Sequence, residues 1–184
     1  KNNLNKKFKW SIIGQQVLMA QVYLPTIFAN MNKKILPDYL HKYLKIGGAN
    51  VPYNTDAWDG YPKERERLFR ELKKANSVLV LTGDTHNSWL NNLYDENNNF
   101  IGVEIGTPAI SSPNTIDTFG SLTNDIEEGF IKENKNVKWT EGKHKGYTLL
   151  KLTKDKSVIT FVYVNTVKSK VYEVIDTNKF NVKP

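Results

Sequence analysis

Asp84 and His86, separated by Thr85 and preceded by Gly83, are the side chains best suited to chemistry in this sequence. A carboxylate is a hard oxygen donor and a neutral imidazole a nitrogen donor, and together they suit a cation shared between them. Residues two apart in an extended segment point to the same side, so the pair converges on one ion if the loop stays extended. The competing use is structural, with Asp84 capping the next element and His86 an ordinary loop residue. For an isolated Asp-x-His that is the commoner use. Ser111 and Ser112 offer hydroxyls that would bond a phosphate or cap a turn. No Gly-x-Ser-x-Gly elbow surrounds them, which argues against a serine nucleophile. Of the other histidines, His41 reads as structural or surface beside Tyr39 and Tyr43. His144 lies in the glycine-rich run from Trp139 to Tyr147, either on the surface or at the mouth of a site.

These residues need elements to position them. Val78-Leu79-Val80-Leu81 is a short, partly β-branched apolar run, which predicts a strand buried on both faces, and Gly83 after it predicts a sharp backbone turn. Phe8 to Ile13 reads as a second strand ending at Gly14, with Gln15 and Gln16 behind it, and Phe100 to Ile105 as a third ending at Gly106. Ligands collect at the carboxyl ends of strands in open sheets flanked by helices, so Gln15 and Gln16 either line a site or satisfy loop backbone. Pro62 to Ala75 is predicted as a surface helix. Proline stands in its first turn, Glu64 and Glu66 lie early, Lys73 and Lys74 lie late, and Tyr61, Leu68, Leu72 and Ala75 share one face. Its arginines read as solvated or ion-paired. A shorter helix is expected from Pro37 to Lys45 and another from Asn124 to Asn134, while residues Lys1 to Lys7 read as a frayed end. Asp95 to Asn99 is a turn. Tyr147 to Leu152, Val158 to Val164 and Val171 to Ile175 predict an antiparallel meander.

With 184 residues, 39% of them hydrophobic, the chain is long enough for one sizeable core and reads as a single unit over 1–184. No apolar run approaches a membrane span. The chain opens at Lys1 and not at a methionine, which reads as a processed product or a piece of a longer protein. The net charge of +7 favours anionic partners, but the cations are nearly all scattered lysines, which indicates a solvated surface over a nucleic-acid groove. Cysteine is absent, so neither a disulfide nor a thiolate ligand is available.

Four separated stretches, in order, resemble one family. They are Gly14-Gln15-Gln16-Val17-Leu18-Met19; Asp56-Ala57-Trp58-Asp59-Gly60-Tyr61-Pro62 with Glu64-Arg65; Leu81 through Trp89; and Gly102-Val103-Glu104 running to Gly106-Thr107 and Ser111-Ser112. Together they resemble the alkaline phosphatase D-like metallophosphoesterases, specifically their carboxyl-terminal part. The resemblance implies an α/β (α+β) fold of calcineurin type, a two-sheet sandwich flanked by helices with a metal cluster at the carboxyl ends of strands. It places the late Gly-Asp-x-His motif on Gly83, Asp84 and His86, making Asp84 and His86 metal-binding and catalytic. It leaves Gln16, Asp59, Asn87 and His144 as residues behind the ligands or facing substrate, with Asp59 alternatively serving the start of the helix. The motifs that supply most ligands in such enzymes are expected upstream of Lys1.

The activity implied is hydrolysis of phosphomonoesters or phosphodiesters by a metal-bound hydroxide, with this chain supplying part of the site and inactive alone. Iron with calcium is the implied cluster, with manganese or zinc as alternatives. The expected partners are a phosphate-ester substrate and the upstream part of the same protein, with nucleic acid entering only as a phosphodiester substrate. A periplasmic, cell-surface or secreted location follows from the resemblance alone. Two rivals stand beside it: a non-catalytic basic binding module, and a degenerate family member without activity.

Overall fold

In the computed structural model the described residues are 4, 8–36, 38, 41, 44 and 46–184. In chain order the elements are β1 (Trp10–Gly14), α1 (Ile27–Asn30), α2 (Pro62–Leu72), β2 (Ser77–Thr82), β3 (Ser88–Tyr94), β4 (Phe100–Gly106), α3 (Thr115–Phe119), α4 (Thr123–Glu133), β5 (Val137–Glu141), β6 (Lys145–Leu152), β7 (Ser157–Val164) and β8 (Val174–Val182). Five strands form one sheet in the order β1-β2-β4-β3-β5, and the last three form a second. β1, β2 and β4 run parallel, while β3 lies antiparallel between β4 and β5. The two sheets and their helices make a mixed α/β architecture.

The apolar run of β2 is buried on both faces because each face has its own core. Val78 and Val80 pack with Phe69 and Leu72 of α2, Phe130 of α4, and Leu18, Met19 and Val22 of the loop after β1. Leu79 faces the second sheet, where it meets Ile159, Phe161 and Tyr163 of β7 with Val103 and Ile105 of β4. The three-stranded sheet thus covers one face of the five-stranded sheet, and helices with the long loop cover the other. Its own outer face carries Tyr147, Leu149 and Ile175, all exposed.

The meander is antiparallel as expected, but its third strand runs from Val174 to Val182 and not from Val171 to Ile175. Phe180 and Val182 supply the inward alternation that holds it there. β3 and β5 lie in stretches where no strand was expected, β5 ending within the glycine-rich run. Trp89, Leu93 and Val137 carry their burial, but asparagines between them mask the apolar signal. The helix α2 ends three residues early. Its buried face is Arg65, Phe69 and Leu72, with Tyr61 59% exposed, so the stripe is rotated from the expected one because Arg65 turns inward. The expected helix over residues 37–45 and the tail over residues 1–7 fall mostly outside the described residues. His41 is described, and its Nε2 lies 3.1 Å from the carbonyl oxygens of both Lys33 and Leu36. Among the described residues, no helix is long and apolar enough to cross a membrane.

Candidate metal centre

The three parallel strands end side by side, at Gly14, Thr82 and Gly106, and their loops are stitched together by backbone. Gln15 N–H donates to Leu81 O (3.0 Å), Gly83 N–H to Gln16 O (2.8 Å) and Thr107 N–H to Thr82 O (2.9 Å). Asp84 and His86 emerge from the middle of this edge.

The loop is not extended. Thr85 N–H donates to Gly83 O at 2.8 Å, closing a three-residue turn about Asp84, whose φ is 66°. That sign belongs to the rarer, strained γ-turn. His86 has φ 65°. Gly83 keeps an ordinary backbone sign, so the sharp bend falls on its neighbours and not on the glycine. The other non-glycine residues with positive φ among those described are Asn50 and Asn98, and asparagine, aspartate and histidine are the types that most often enter this region. A carboxylate and an imidazole held there, two residues apart, are backbone outliers of the kind that cluster at functional sites.

Alternate side chains pin this geometry. Thr85 Oγ1 accepts from the indole Nε1–H of fully buried Trp89 (2.7 Å). Asn87 is buried, donates to Thr115 Oγ1 (2.7 Å) and accepts from Thr115 N–H (3.2 Å). Gly142 leaves room for that pair, since a β-carbon on it would lie 2.7 Å from both Asn87 Oδ1 and Thr115 Oγ1. Asp84, by contrast, is exposed and forms no side-chain bond among the described residues. His86 is half-buried, and its Nδ1 lies 2.7 Å from Pro113 O, with Ala109 N–H donating to His86 O at 3.2 Å. A carbonyl only accepts, so Nδ1 carries a proton, and in the neutral ring the lone pair is on Nε2. Metal-ligating histidines are oriented in this way.

The other expected residues divide. His144 sits on the neighbouring loop, its Nδ1 2.9 Å from Glu141 Oε1, its ring against Tyr163, and its carbonyl accepting from Asn114 beside Pro113. Gln16 touches the Asp84 turn through its carbonyl, while its side chain is exposed. The Asp59 side chain is buried, and both its oxygens are taken up, by Val22 N–H (2.8 Å) and by the guanidinium of Arg65. Burial pushes its carboxyl above the usual range despite those donors. It therefore braces the start of α2, where Arg65 also reaches Met19 O. The acceptor for His86 is a backbone carbonyl 27 residues away, for which no residue type gives a signal.

The donor set fits part of a metal site. Asp84 offers a free carboxylate and His86 an oriented Nε2, and among the described residues no group of three or more histidine, aspartate or glutamate side chains could hold an ion.

Comparison with known proteins agrees with the ordered motifs. The chain is 30% identical over 160 residues to alkaline phosphatase D of Bacillus subtilis (strain 168), covering 83% of this chain and 23% of that protein. A solved structure of PhoD superposes with a TM-score of 0.66 at 23% identity, over 95% of this chain and 30% of that one, which supports the shared fold. The chain thus spans under a third of the length of either relative. The sequence profile of the PhoD-like phosphatases runs over residues 1–161, and the chain belongs to that family.

Proposed function

We propose that the protein hydrolyses phosphate esters with a metal cluster for which this chain provides Asp84 and His86, in a calcineurin-like sandwich. The other ligands come from a part of the protein outside this chain. The observation that supports this most is the Nδ1–Pro113 bond, which leaves Nε2 of a strained, half-buried histidine available beside a carboxylate that has no side-chain partner among the described residues. Bound cations would supply an acidified water and offset charge on the phosphoryl oxygens. Asp84 gives hard oxygens suited to calcium or ferric iron, and His86 a nitrogen suited to iron, manganese or zinc, so iron with calcium fits the pair. The chain's own contribution is positioning. Pro113 O holds the Nδ1 proton, Trp89 and Thr115 fix the residues flanking His86, and the γ-turn centred on Asp84 holds its exposed carboxylate in place.

The test is hydrolysis of p-nitrophenyl phosphate and bis-p-nitrophenyl phosphate by a version extended upstream, with metal content measured in the same samples. His86→Ala should lower activity by about a hundredfold and reduce the metal bound per protein. Equal activity in the two proteins removes His86 from the site.

A further inference from the structure

Residues of two of the recognised motif stretches, Gly14–Met19 and Asp56–Pro62, border an open surface cavity of about 490 Å³. Val17, Trp58 and Tyr61 line it together with Gln16, whose carbonyl meets Gly83, and with the exposed carboxylates Asp56 and Glu64. No lysine or arginine lines it, in a chain of net charge +7. Trp58 is held by its indole Nε1–H, which donates to Gln15 Oε1 at 3.1 Å. Glu64 shares its charge with Arg67 at 3.3 Å, both well exposed, and Asp56 forms no salt bridge among the described residues. Two aromatic residues and two carboxylates around one cavity are the chemistry that recognises an organic cation. The carboxylates would repel a phosphate, so the anionic end of an ester belongs elsewhere.

The lining places that end. Gly83 N–H donates to Gln16 O at 2.8 Å, so one peptide hydrogen bond joins the cavity to the Asp84 turn. We propose that this cavity receives the positively charged organic group of a phosphate ester whose alcohol part carries an ammonium, while the phosphate lies toward Asp84 and His86. The orientation rests on the phosphoesterase reading of those two residues; the affinity of the cavity for an ammonium does not.

The probe is choline, compared with its neutral isostere 3,3-dimethylbutan-1-ol. Binding is followed by the indole N–H resonances of the four tryptophans in the ¹⁵N-labelled chain. Choline should shift the Trp58 signal saturably, bind at least tenfold more tightly than the isostere, and lose at least tenfold in the Asp56→Asn, Glu64→Gln double variant. Both substituted positions are exposed, and unchanged Trp10 and Trp89 signals, bonded to Thr153 O and Thr85 Oγ1, report an intact fold. Equal binding of choline and the isostere, indifference to the double variant, or no shift at Trp58 overturns the proposal. In the upstream-extended protein the two readings separate. Choline binding without His86-dependent hydrolysis sustains the cavity and sinks the catalytic assignment. Hydrolysis of phosphocholine that needs His86 but is unmoved by the double variant does the reverse.

Discussion

Glu104 should make this fold less stable as pH rises through neutrality, and the effect can be sized from its surroundings. The side chain is fully buried in β4 and receives three donors, the backbone N–H groups of Met19 and Ala20 and the Nδ2 of Asn91 (2.9 Å). Burial pushes its carboxyl from an ordinary 4.5 up to about 7, outweighing the three donors, and the nearby Asp59 charge adds to the rise. Between those two values the unfolded chain has released the proton while the folded chain still holds it. The folded state binds more protons, so stability falls with rising pH across that window. A rise of that size corresponds to roughly 3 kcal/mol lost between pH 4.5 and 7. Glu104→Gln is neutral throughout and removes this dependence, while its amide opposes one of the three donors as the protonated acid does. Urea unfolding of both proteins at pH 5, 6, 7 and 8 reads the effect, because titrations common to the two cancel in the difference. The stability of the parent minus that of the variant should fall by roughly 3 kcal/mol from pH 5 to 8. A difference that stays level across that range refutes the reasoning. It would mean that the three donors hold the carboxylate ionised at no net cost.

Asp84→Gly removes a β-carbon from a residue with φ 66° and no side-chain bond. Denaturant unfolding should show a gain of about 0.5 kcal/mol once the added backbone entropy is subtracted, together with loss of metal binding; destabilisation beyond 1 kcal/mol, on the order of the strain itself, would count against a strained ligand. Asp59→Ala strands the buried guanidinium of Arg65, and calorimetry should register a loss of about 3–5 kcal/mol. Gly142→Ala drives a methyl against Asn87 and Thr115, costing about 1–3 kcal/mol. Its first sign should be a shift of the Asn87 side-chain amide resonances, and an unchanged amide would show that the loops yield without breaking the pair.

What the sequence displayed of this fold is what local pattern can carry. The β2 run, the glycines closing β1, β2 and β4, and the charge gradient of α2 are contiguous signals, and each produced its element. β3 was invisible because Asn91 and Asn92 interrupt its apolar residues. Asn91 is buried only because Glu104, 13 residues later, gives its amide an acceptor. Arg65 turned inward for the same reason, since Asp59 waits in the core. Buried polar residues read as exposed until their partners are known, and the partners are set by tertiary contact.

The candidate site divides along the same line, and that division bears on which features matter for chemistry. Residue type and spacing marked Asp84 and His86 as candidate donors, but the extended loop that spacing implied is absent. The two donors instead take positive φ at adjoining turns. A cap and an ordinary loop histidine would need neither the γ-turn nor the pinning of Thr85 by Trp89 and of Asn87 by Thr115. Each of those bonds falls on the residue following a donor and orders it from the buried side. The His86 Nδ1 bond to Pro113 O completes the set. Strain at two donors, restrained on their buried side and unpartnered on the outer one, is the arrangement expected where a backbone is held ready for an ion.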